Sequence, residues 1–145
     1  MLWFWAALAA AILWGVSYAL SDYTLKQGIS GTAQLAICGL FLTPFYGVVA
    51  WQSGSLQRSV ELLRGDKKLL IFFIGVAVCY ASANILTFWS IRAKNATLSS
   101  MIEIAYPFFT ALFVWLIFGE NQLTTNSVIG GLLIFSGIAF IYFGK

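Results

Sequence analysis

The sequence predicts an all-α integral membrane protein, five transmembrane helices in a single domain over residues 1–145. Three observations carry that prediction. Hydrophobic residues make up 61% of the chain and charged residues 9%, against about 45–50% and about 25% in soluble domains. Mean hydropathy is +0.89, so a soluble fold of this size could not cover its apolar surface. The apolar residues also gather into runs of spanning length, about 20 each, with polar or turn-like junctions between them.

The first run, about 3–22, starts almost at Met1 with no basic segment before it. It reads as an uncleaved span rather than a removable signal peptide. The junction "SDYTLKQGISG" leads to the second run, about 33–51, where Gly39, Thr43 and Gly47 recur every fourth residue and allow close helix approach. Next comes "QSGSLQRSVELLRGDKK", in which Leu56, Val60 and Leu63 repeat at helical spacing with Arg58, Glu61 and Arg64 between them. A short amphipathic helix in the membrane interface fits that pattern. The third run, about 69–90, and the fourth, about 97–118, are joined by "IRAKNAT". Its Asn95-Ala96-Thr97 matches a glycosylation pattern, but the loop is too short and too close to the membrane for that use. The fifth run, about 126–143, follows "ENQLTTN".

Composition excludes several functions. The chain has no histidine, which removes the usual base of catalytic triads and a common metal ligand. Cys38 and Cys79 fall inside apolar runs without metal-ligand spacing and read as apolar thiols. No cofactor, no metal and no enzymatic activity are expected. The net charge of +3 is carried by loops and suits anionic lipid rather than nucleic acid.

The side of the membrane that holds the N-terminus also receives Arg58, Arg64, Lys67 and Lys68. The opposite side receives Lys26, Arg92, Lys94 and Lys145. This balance sets no clear orientation by the positive-inside rule and is what a dual-topology protein would show, although the clustering near Lys67 and Lys68 would tip the N-terminal side to the cytoplasm. A strong first helix could equally set orientation by itself. Trp3, Trp5, Trp51 and Trp115 come out near the N-terminal side, as an aromatic belt does.

The polar residues inside the spans point to a site. A charged acid near the bilayer centre costs roughly 2.5–3.5 kcal/mol, so Glu103 should face protein or a water-filled cavity. There a carboxyl can exchange a proton or pair with a cation. Ser99, Ser100, Pro107 and Thr110 share its helix face. The first span carries Trp14, Ser17, Tyr18, Ser21 and Asp22 in a similar stripe, and the third carries Tyr80, Asn84 and Thr87. Span directions and a rise of 1.5 Å per residue put the three stripes at similar depth, with Glu103 roughly 8–10 Å below the surface opposite the N-terminus. The plainer alternative is that these groups only bond neighbouring helices. Pro44 and Pro107 both fall within spans, where each removes a backbone hydrogen bond and favours a hinge. Loosened helices beside a midplane site are a transporter feature.

"ILWGVSYAL" resembles the first-helix signature of EamA-type members of the drug/metabolite transporter superfamily. "EIAYPFFTALFVWLIFGENQLTTNSVIGGLLIFSGIAFIYFGK" is similar to their last two helices: a proline-containing helix, a Gly119-Glu120 end, a short loop and a glycine-rich helix. Typical members carry ten spans as two inverted repeats of five. This chain holds one such unit and is similar to the short, five-span branch. The resemblance implies a transporter completed by a second unit, most simply another copy inserted the other way up. The four-span small multidrug resistance proteins use an acid in their first helix. No acid precedes Asp22 here, so that role does not carry over by position. Glu120 is expected to support a helix end.

The expected function is proton-coupled transport of small metabolites or amphipathic cations by a homodimer in the cell inner (plasma) membrane. Glu103 would alternate between proton and substrate. Asn84, Thr87, Tyr18 and Ser17 would supply hydrogen bonds, and Trp14 or Tyr106 an aromatic wall for a cation. The alternative is a non-transporting small subunit packed against a larger membrane partner.

Overall fold

The computed structural model describes residues 2–121 and 123–144. Met1 and Lys145, both used in the sequence reading, lie outside the described residues. Among the described residues seven helices follow one another: α1 (Leu2–Lys26), α2 (Gly31–Gln52), α3 (Ser55–Gly65), α4 (Lys67–Ala93), α5 (Ala96–Glu103), α6 (Tyr106–Phe118) and α7 (Thr125–Phe143). Five stretches are long and apolar enough to span a membrane, with α5 and α6 together forming the fourth, Ala96–Phe118.

The helix ends follow local chemistry. The first four N–H groups of a helix have no partner within it, and short polar side chains supply one. The Ser30 hydroxyl accepts from the Ala33 N–H at 3.2 Å at the start of α2. Asp66 Oδ1 accepts from the N–H groups of Lys68 and Leu69, at 2.8 and 3.1 Å, at the start of α4. The Asn95 side chain accepts from the Leu98 N–H at 2.8 Å and caps α5, which gives the asparagine of the glycosylation-like tripeptide a structural task. Thr124 does the same for α7 through the Ser127 N–H. Gly54 before α3 and Gly119 after α6 have φ of 67° and 72°, a left-handed conformation that costs glycine little.

The fourth expected span, 97–118, is interrupted at Ile104–Ala105. Pro107 has no N–H, so the bond that would close residue 107 onto the Glu103 carbonyl cannot form. The chain turns instead through shorter bonds, from Ala105 N–H to the Ile102 carbonyl and from Phe108 N–H to the Ala105 carbonyl. Pro44 has a different outcome, because α2 runs through it without a break.

The chain forms two compact units. One comprises residues 1–19 and 94–145, the other residues 20–93. In the second unit α2, α3 and α4 pack on one another. The end of α1 is tied to the start of α2 by Gln34, whose amide donates to the Ser21 hydroxyl at 3.0 Å and whose carbonyl oxygen accepts from Thr24 at 2.7 Å. Gly31 lies so near Phe88 that a Cβ there would stand 2.6 Å from the Phe88 Cβ. In the first unit Phe108 of α6 and Phe135 of α7 meet edge to face at 5.0 Å between ring centroids.

Burial is inverted relative to a soluble protein. Leu25, Ile91, Ala96 and Ala105 are the buried apolar residues among those described, whereas large side chains such as Leu40, Phe41, Ile71, Val76 and Phe140 lie open. Exposed apolar surface on this scale needs lipid to cover it. The protein is an all-α, multi-pass membrane protein.

Candidate functional site

Glu103 is the last residue of α5, one step before the break in the fourth span. A carboxylate at that point sits where the backbone ladder is already interrupted. Its half-buried side chain accepts a hydrogen bond from the hydroxyl of Tyr18, 85 residues earlier on α1. Both residues belong to the first unit. One turn before Glu103, Ser99 is 3% exposed, so the helix face leading to the acid is closed off by protein.

Trp14 lies one turn from Tyr18, and their rings are tilted at 50° with centroids 6.1 Å apart. The indole retains an open face at 54% exposure. An acid, a phenol and an indole therefore stand in sequence along one side of this unit. The acid can hold a proton or a cation, the phenol can donate to the acid or accept from a ligand, and an aromatic face attracts cations.

The remaining expected residues are placed differently. Ser17 is exposed beside Tyr18, and Tyr106 presents an exposed ring just after the break. Asn84 and Thr87 belong to α4 in the second unit. The Asn84 amide donates to the Tyr80 carbonyl of its own helix at 2.8 Å, a local bond that polar residues in membrane helices commonly make. Thr110 likewise bonds back to the Tyr106 carbonyl. Asp22 makes an ion pair with Lys26 one turn later, which accounts for it at the end of the span.

Two features were missed by sequence reasoning. One is Gln34, whose position in an otherwise apolar run was the available signal. The other is a cavity of about 220 Å³ between the α5–α6 break and α7, lined by Ala105, Pro107, Phe108, Ser127, Gly131 and Phe135. It depends on small residues of α7 facing the break, which no periodicity reveals. No cluster of metal-ligating side chains occurs among the described residues.

Comparison with known proteins matches residues 1–143 to the EamA-like transporter family. No curated relative and no solved structure matches the chain.

Proposed function

This chain belongs to the EamA-like transporter family, and from that premise we propose that it moves small metabolites or amphipathic cations across the cell inner membrane in exchange for protons. The observation that carries the proposal is the pairing of Glu103 with Tyr18 at the break in the fourth span. An intramembrane acid is expensive and is a functional group by default. Here it has a donor that stabilises it when empty and that a proton or a cation can replace.

In this reading Glu103 binds proton and substrate in turn, Tyr18 holds the carboxylate in place, and Trp14 offers a ring to the cationic end of the substrate. Ser17 and Tyr106 extend the polar and aromatic lining. The break ahead of Pro107 supplies the hinge that lets α6 move against α5, and Pro44 offers a milder bend in α2. A role for Asn84 and Thr87 rests on their polarity in α4 alone.

One five-span repeat provides half a pathway, and a second copy completes it. An antiparallel homodimer would reproduce the inverted-repeat arrangement on which alternating access depends. The test is substrate-driven proton movement in proteoliposomes, with Glu103→Ala beside wild type. Loss of proton movement supports the proposal, and intact movement in the variant refutes it.

A further inference from the structure

Counting basic side chains makes the two membrane faces equal, but their arrangement does not. Arg58, Arg64, Lys67 and Lys68 fall within eleven consecutive residues spanning α3 and the head of α4, and all four are exposed. Among the described residues none of the four forms an ion pair. Lys26, by contrast, pairs with Asp22 one turn earlier on α1. Of the two acids in the same stretch, Asp66 is turned onto the backbone N–H groups of Lys68 and Leu69 and Glu61 stands on α3, so four cations face two carboxylates and the stretch keeps a net positive charge. The Lys68 ammonium lies 6.0 Å from the centre of the Phe72 ring, at the mouth of a spanning helix.

Geometry fixes this charge at the membrane surface. α3 is 11 residues long, about 16 Å at 1.5 Å per residue. It is bound at both ends to spanning helices, through Ser53–Gly54 on one side and Asp66 on the other. It packs on both α2 and α4 and cannot leave their shared end. Leu56 and Val60 are 44% and 38% exposed and share a face with half-buried Leu63, while Arg58 lies opposite and Arg64 flanks. An apolar stripe with cations around it is the arrangement that lies in the headgroup region, and long basic side chains reach outward from there to phosphate.

We propose that α3 and the head of α4 form a binding surface for phospholipids with net negative charge. Leu56, Val60 and Leu63 enter the acyl boundary, and Arg58, Arg64, Lys67 and Lys68 hold the phosphates. The inference is independent of the transport site, because it uses no residue of the Glu103 group.

The test uses the full chain in mild detergent, titrated with phosphatidylglycerol or with phosphatidylcholine, and reads thermal stability and bound lipid by native mass spectrometry. Wild type should prefer phosphatidylglycerol, and 1 M salt should erase the preference, since the screening length there is about 3 Å. Each cation near an anionic surface is worth about 1 kcal/mol, or about fivefold in affinity. Replacing all four with glutamine should therefore cost roughly 600-fold in phosphatidylglycerol affinity when the contributions add. The milder pair Arg58→Gln and Arg64→Gln should give an intermediate loss, which keeps the test valid if the fourfold variant does not fold. Arg92→Gln with Lys94→Gln should keep the preference. Equal binding of the two lipids by wild type would overturn the proposal. So would a preference that survives in the α3 variants, or one that falls as far in the Arg92/Lys94 variant.

Discussion

At the scale of residues, the chemistry gathers around one acid. Removing the Tyr18 hydroxyl takes away a donor to Glu103 worth roughly 1 kcal/mol for a bond of this kind. Tyr18→Phe should lower the melting temperature slightly and, because the cation no longer has to displace this donor, tighten cation binding by several-fold while leaving some transport. Glu103→Gln should keep the fold and abolish proton coupling. Comparison of uptake with and without a pH gradient separates the two variants. Sequence alone placed Tyr18 and Glu103 at similar depth, because span direction and rise per residue give depth. Their pairing was not legible, since it depends on which helix faces turn toward each other. For Asn84 the spacing with Thr87 suggested a shared face but could not show the local bond by which its amide donates one N–H to the Tyr80 carbonyl.

At the scale of elements, one close approach and one open position make contrasting predictions. A methyl group at Gly31 would stand 2.6 Å from the Phe88 Cβ, while one at Gly47 would have nothing within 4 Å. Gly31→Ala should destabilise the second unit by about 1–3 kcal/mol, the usual cost of overpacking. Gly47→Ala should be neutral or mildly stabilising, since alanine favours a helix interior by roughly 0.5–1 kcal/mol over glycine. Thermal melts of both variants in detergent check this contrast.

Pro107→Ala restores the missing N–H and lets the fourth span close into a continuous helix. It should raise stability and slow transport, which melting and initial uptake rates measure together. The apolar runs made the spans legible, but they did not mark the division of the fourth. Hydropathy reports residence in lipid and is blind to one missing backbone donor. Pro44 and Pro107 look alike in sequence, yet α2 continues through the first and the chain breaks ahead of the second.

At the scale of the whole molecule, five spans carry Glu103 well inside the fourth, Asp22 at the end of the first, and wide exposed apolar faces. The family match over residues 1–143 makes the chain a transporter-type membrane protein, and the proposed mechanism requires two copies. Chemical crosslinking in native membranes should therefore capture a dimer of this chain. Labelling of single cysteines placed in the α3 segment and in the loop at Lys94, with Cys38 and Cys79 replaced, should show whether copies insert one way or both. Orientation stayed open in sequence because the basic side chains on the two sides balance in number, and the cluster near Lys67 and Lys68 was the one signal that favoured a side.

The central claim is that Glu103 binds substrate and proton in turn. Its most direct test is a thermal-stability screen of purified protein against amines, amino acids and other metabolites at two pH values, with wild type beside Glu103→Gln. A proton and a cation competing for one carboxylate predict a ligand that stabilises wild type more at the higher pH and fails with the variant. Ligands that stabilise both proteins equally, at both pH values, would contradict the claim and place Glu103 outside the site.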